Sequence, residues 1–243
     1  MGIYKLDSEI VFIILLSGAA GACILVGGLL ALVESLFPNY NDEEFKHFII
    51  AFGGGILLGA VALVLIPEGV KTFSHPIYIV LIFLFGGVSF FFVDMYLGLQ
   101  KKEAPQFIAM LLDYIPEAIV LGGFVAMGSP QTVLLAVLIG LQNLPEGFNA
   151  FRELNSKTYT KTKILLLMLL LIPLGPIMAL VGYFYLASFP IVAGIIMLWA
   201  SGGILYLMFQ DIAPQVKLEQ HWWPPLGAVF GFTLALIGHI LTG

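Results

Sequence analysis

Apolar runs long enough to cross a bilayer occupy roughly positions 10 to 36, 46 to 67, 77 to 99, 105 to 127, 131 to 151, 163 to 186, 188 to 210 and 222 to 241, with only short polar connections between them. A membrane-spanning helix needs about 20 such residues. The pattern therefore predicts an all-α integral membrane protein, one domain over 1–243 with eight transmembrane helices.

Two neighbouring runs are interrupted by the same kind of polar cassette. The fourth carries Asp113-Tyr114-Ile115-Pro116-Glu117-Ala118 and the fifth Gln142-Asn143-Leu144-Pro145-Glu146-Gly147. Residues at i and i+4 share a helix face, so Asp113 falls one turn from Glu117 and Gln142 one turn from Glu146. Each cassette is a two-oxygen claw. Pro116 and Pro145 cannot donate to the carbonyls of Leu112 and Leu141, and such freed backbone is tolerated at membrane depth only where it is buried or lines a cavity. The turn Gly128-Ser129-Pro130 makes the two runs an antiparallel hairpin, which sets both cassettes at nearly the same depth. At ~1.5 Å rise per residue, the four side chains fall within roughly 9 Å along the membrane normal.

Composition narrows the chemistry. The 243 residues are 60% hydrophobic and 10% charged, and mean hydropathy is +1.04, which excludes a soluble domain. No basic patch offers a site for nucleic acid, and the net charge of -5 is dispersed over loops and helix ends. The single cysteine, Cys23, is read as a packing residue. The first run is read as a retained helix rather than a signal peptide, because Asp7 and Glu9 accompany Lys5 and the apolar stretch continues past its small residues. With the N-terminus outside, the cytoplasmic connections hold Lys46, Lys101, Lys102, Arg152, Lys157, Lys161, Lys163 and Lys217, leaving Lys5 and Lys71 outside. The positive-inside bias thus places both termini on the extracytoplasmic side, in the plasma (inner) membrane.

Other positions are read more plainly. Gly18 to Ala22 give the first helix a small-residue surface for close packing, and Glu34 near its end is expected to be solvated. Gly55, Leu58 and Pro67 share their spacing with Gly202, Leu205 and Pro214 on helices of opposite direction, a pattern expected of inverted repeats. Asp94 and Asp211 lie toward the cytoplasmic side, as ion acceptors or hydrated interfacial acids; Glu68 faces outside. Ile172-Pro173-Leu174-Gly175-Pro176 predicts a kink in the sixth helix, and Trp222-Trp223 an interfacial anchor. His47, His75, His221 and His239 sit near helix ends and are not expected as buried ligands.

Asp113, Glu117 and Glu146 are the deepest acids, with no Lys or Arg at their depth. At about 2.5–3.5 kcal/mol for each charged residue at a helix centre, three bare carboxylates cost roughly 8–10 kcal/mol, so they must be protonated, hydrated or cation-bound. Protonated acids serving as interhelical glue is the plainer reading. Two cassettes of one spacing, at one depth on neighbouring helices, favour a cation site.

On these residues the chain resembles the ZIP family of divalent metal transporters. Gln142 to Gly147 matches the family's fifth-helix motif, a His or Gln followed three residues later by Pro-Glu; Asp113 to Ala118 matches the fourth-helix motif in its Pro-Glu. The resemblance implies a ZIP-like eight-helix bundle with inverted repeats, in which helices one, four, five and six carry the metal against two, three, seven and eight, as a homodimer. It implies a metal site of Asp113, Glu117, Gln142 and Glu146. Asp113 stands where histidine is usual, so all four donors are oxygens, a harder set that suits Mg, Ca or Mn better than zinc. Tyr114 and Ile172 replace ligands of a neighbouring second metal position, leaving Asn143 as its one neutral donor, and the connection Gln100-Lys101-Lys102-Glu103 is too short to buffer metal.

The expected function is inward transport of a divalent cation, whether zinc, iron, manganese, cobalt or cadmium, with the metal as cargo and the lipid bilayer as surroundings. The rivals are a proton-linked or metal-sensing ZIP-like protein that no longer transports zinc and an intramembrane hydrolase. The hydrolase needs two facing aspartates where the centre offers only Asp113. No enzymatic activity is expected.

Overall fold

The computed structural model describes residues 2–35, 43–99, 105–156, 159–219 and 221–242, with side chains for all but 2–5, 97–99 and 105. The connection at 100–103, Lys157 and much of the acidic loop after the first helix lie outside the described residues. Among the described residues there is no β-strand. The helices are α1 (Gly2–Glu34), α2 (Glu43–Val70), α3 (Pro76–Leu99), α4 (Pro105–Met127), α5 (Thr132–Ser156), α6 (Lys161–Leu186), α7 (Pro190–Val216) and α8 (Leu226–Thr242). The first seven are long and apolar enough to cross a membrane; α8, with 17 residues, is shorter.

Burial is inverted relative to a water-soluble protein. Phe85, Tyr185 and Phe209 are each about two-thirds exposed, whereas Glu117, Gln142 and Asn143 are wholly buried. An apolar exterior of this extent around a polar centre is stable only in lipid. The chain is an integral membrane protein.

The α4–α5 hairpin lies at the centre, with α1 along α5 and α6 along α4, while α2 packs on α8 and α3 on α7. Lipid offers no hydrophobic drive between helices, so close backbone approach supplies the packing. A Cβ at Gly122 would stand 1.7 Å from the Ala179 carbonyl oxygen, and one at Gly182 1.8 Å from that of Ile119. The α1–α5 crossing is built in the same way, with Gly27 on the Leu144 carbonyl and Gly147 on that of Ile24. At α2–α8, Gly55 meets the Ala228 carbonyl and Gly231 that of Phe52; at α3–α7, Gly202 meets Phe83 and Gly86 meets Trp199.

Local chemistry sets the hairpin's register. Gly128 takes φ +64°, its N–H donates to Val125 O, and Ser129 N donates to Phe124 O at 2.9 Å, a glycine stop that ends α4. Ser129 then opens α5 by accepting from Gln131 N at its hydroxyl. Elsewhere α6 breaks at Ile172-Pro173 as expected, and Pro176 deprives the Ile172 carbonyl of its helical donor. Both α2 and α7 contain a π-helical turn, Ala60–Leu65 and Met208–Ile212, each ending two residues before a proline, Pro67 or Pro214.

At the periphery, Glu34 is not simply solvated: it pairs with Lys46 at 2.9 Å and with Arg152 at 3.8 Å, tying α1 to α2 and α5. Glu68 pairs with Lys71 at 2.6 Å. Asp94 accepts the Tyr206 hydroxyl at 2.9 Å. Trp222 is 89% exposed.

Candidate intramembrane cation site

Both cassettes lie within unbroken helices, Pro116 in α4 and Pro145 in α5. Because the hairpin turns at Ser129-Pro130, residues equally far from it along the two helices come opposite one another. Asp113 thus meets Glu146, and Glu117 meets Gln142. The claws predicted along each helix close instead across the hairpin, as two rungs one helical turn apart.

In one rung, Gln142 Nε2 donates to Glu117 Oε2 at 2.6 Å. That bond fixes the amide and leaves Gln142 Oε1 free, with Glu117 Oε1 beside it also unpaired. In the other rung the carboxyl groups of Asp113 and Glu146 lie within hydrogen-bonding reach of each other, and Asp113 Oδ1 also accepts its neighbour's amide, Tyr114 N, at 2.8 Å. Asn143 Nδ2 donates 2.9 Å to the Ala20 carbonyl of α1, leaving Oδ1 without a partner. Glu146 Oε2 is likewise buried and unpaired.

Four side-chain oxygens, those of Glu117, Gln142, Asn143 and Glu146, are therefore buried without a partner. Each such group costs about 1–3 kcal/mol. The ion pairs found among the described residues all lie elsewhere. Oxygen-only donors of this kind suit a hard divalent cation. Among the described residues, though, no three His, Cys, Asp or Glu side chains stand together as a closed metal cage. The donors are assembled as pairs, and a cation bridging the rungs would have to draw them inward.

A crevice of about 50 Å³ reaches the site from the end of the bundle that carries the α4 N-terminus and the α7 C-terminus. A water needs about 10–15 Å³ of such space, so the crevice has room for water. It touches Asp113 and Glu146 of the site and continues past Asn149, Asp211, Gln106 and Gln215. Glu117 and Gln142 are not on it. The opposite end is packed with apolar side chains, among them Val64, Leu65, Val120 and Phe124, all fully buried.

Tyr114 follows Asp113 in α4, with its ring buried and its hydroxyl against the Gly175 backbone. The hydroxyl is wedged between α1 and α6, where a Cβ at Gly21 or Gly175 would stand 2.4 or 2.1 Å from it. It fills the volume beside the site. Cys23, the expected packing residue, is half-buried and directs its thiol to the Ala19 carbonyl. His75 and His221 are peripheral, and His221 pairs with Glu44 at 2.8 Å. His239 departs from expectation, having a buried Nδ1 with no partner.

Three features escaped the sequence reading: the Asn143 tie to α1, the crevice lining by Gln106, Asn149 and Gln215, and the Glu153 cap on α4. Asp211 and Gln215, one turn apart at the end of an apolar helix, were the available signal for the crevice. Glu153 accepts from Gln106 N and Phe107 N at 3.0 and 3.2 Å, at the same distance from the turn as Gln106, and so continues the ladder of the two rungs. No protein-family model and no curated protein matches the chain.

Proposed function

We propose that the chain is a transporter of divalent metal cations resembling the ZIP family, with Asp113, Glu117, Gln142 and Glu146 as the cargo's ligands. The observation that carries the reading is the set of unpartnered buried oxygens on two facing, acid-bearing rungs, with no basic side chain among the described residues to neutralise them. A cation supplies what the protein withholds, a positive charge and an acceptor for the free lone pairs of Glu117, Gln142 and Glu146. Gln142 contributes a carbonyl oxygen aimed by its bond to Glu117. The crevice supports access from one side, and the positive-inside bias makes that side the cytoplasm, with eight spans and both termini extracytoplasmic. The plasma (inner) membrane and a homodimer remain part of the same proposal.

Inverted repeats belong to it as well. The π-helical turns precede Pro67 and Pro214 at the same spacing, and Gly55 and Phe52 of α2 play the same part against α8 as Gly202 and Trp199 of α7 play against α3. Such repeats commonly frame a midplane substrate site in transporters.

The test is anomalous X-ray scattering from crystals soaked separately with manganese, iron, cobalt, zinc and cadmium, collected at each metal's edge. Signal between the two rungs for at least one metal is expected; its absence for all five overturns the reading.

A further inference from the structure

At the end away from the acids, the crevice is lined by two glutamines on different helices that contact each other. Gln106 Nε2, in the first turn of α4, donates to Gln215 Oε1 near the end of α7 at 3.0 Å. Both residues line the crevice, and their bond joins α4 to α7 at its wall. Each partner is separately held. Gln215 Nε2 donates to the Asp211 carbonyl at 2.5 Å, which fixes the amide so that its oxygen faces Gln106. The Gln215 carbonyl is engaged by His47 Nδ1 of α2. On the other side, the Glu153 carboxylate of α5 caps the backbone of Gln106 and Phe107.

We infer that the Gln106–Gln215 bond is a gate on the aqueous route to Asp113 and Glu146. A neutral amide pair suits that role. It breaks at the cost of one net hydrogen bond, because water replaces each lost partner, whereas an ion pair at the same place would hold or repel the passing cation. The anchors divide the gate between two groups of helices, Gln106 belonging with the site hairpin through Glu153 and Gln215 with α2 and α7. The amides separate when the Gln106 side chain turns away or when the end of α4 moves relative to α7, and either motion widens the crevice while the rungs stay paired. The gate concerns water access, and it rests on the transporter reading only for what passes through it.

The experiment follows water access directly. In a Cys23→Ser, Ala109→Cys protein reconstituted in liposomes, the cysteine lies on the crevice wall and its reaction with a charged methanethiosulfonate reagent is timed. Gln106→Ala and Gln215→Ala should each speed labelling about ten-fold, the shift in an open–closed equilibrium that accompanies loss of one amide hydrogen bond. A Tyr159→Cys probe on the exposed surface should label equally in all backgrounds. Equal rates at Ala109→Cys with and without the glutamines overturn the gate. If an alanine variant fails to fold, Gln106→Asn and Gln215→Asn retract the amides by one methylene and give the same readout. A bifunctional methanethiosulfonate cross-link between Gln106→Cys and Gln215→Cys in a Cys23→Ser chain, long enough to replace the two amides, should stop manganese flux until reduced, and undiminished flux through the fully cross-linked protein also overturns the gate. Flux missing from the unaltered protein refutes the transporter reading, while the labelling rates still decide the gate.

Discussion

Replacing Glu117 by glutamine isolates the cation's share of the site. Glu117 is wholly buried and accepts from Gln142 Nε2 at 2.6 Å, a bond that an amide oxygen at the same place preserves. Folding without metal should therefore be unchanged or improved, since one buried carboxyl group is removed. Metal loses an anionic ligand in a site without any fixed positive charge. Breaking a buried charge pair costs about 3 kcal/mol or more, and at that scale affinity falls roughly a hundred-fold. A metal present at about 100 times its Kd stabilises the native protein by about 2.7 kcal/mol, and after a hundred-fold loss by about 0.4 kcal/mol. With a midpoint shift of about 2–4 °C per kcal/mol for a chain of this size, the gain in Tm should shrink from roughly 5–10 °C to about 1 °C. The assay is thermal unfolding of purified protein with and without manganese, zinc or cadmium, followed by calorimetric titration. Glu117→Gln combined with Glu146→Gln should abolish the gain. If the double variant keeps the full metal-dependent increase, these carboxylates are not ligands and the account of the site fails.

Three further outcomes follow from the same geometry. Gln142→Leu removes the donor to a wholly buried carboxylate, so it should destabilise the metal-free protein by about 1–3 kcal/mol, and Gln142→Glu combined with Glu117→Gln should restore most of the loss in chemical unfolding. Tyr114→Phe removes only the hydroxyl's contact with the Gly175 backbone and should cost about 1 kcal/mol, whereas Tyr114→Ala should cost about 3–5 kcal/mol through the cavity between α1, α4 and α6; the comparison is made by unfolding in detergent. Protons and metal compete for the carboxylate oxygens of Asp113, Glu117 and Glu146, so metal affinity should fall as pH is lowered and binding should release protons. Calorimetric titration in buffers of different ionisation enthalpy measures that release, and an affinity equal at mildly acidic and neutral pH would refute it.

Much of this protein is written locally. The length and apolarity of the runs, the glycine and proline at the α4–α5 turn, and the repeat of a hydrogen-bonding residue four positions before Glu117 and Glu146 are properties of short segments. Helix rise and a tight turn suffice to bring two such segments to equal depth, which is why Asp113, Glu117, Gln142 and Glu146 were identifiable together. Partner choice is not local. It depends on how far each helix is rotated and tilted, and that is set by glycine contacts such as Gly27 on Leu144 and Gly122 on Ala179, formed between segments distant in the chain. The turn brings Asp113 level with Glu146 and Glu117 level with Gln142; only the tertiary structure decided that they touch there, that Gln142 presents its carbonyl oxygen because Glu117 holds its amide, and that Glu34 is paired rather than solvated. It alone brought Gln106 of α4 to Gln215 of α7 at the crevice wall. The chain itself determined which groups would be buried together, because helical period and turn position are short-range; their pairing and their access to water required the packing of all the helices.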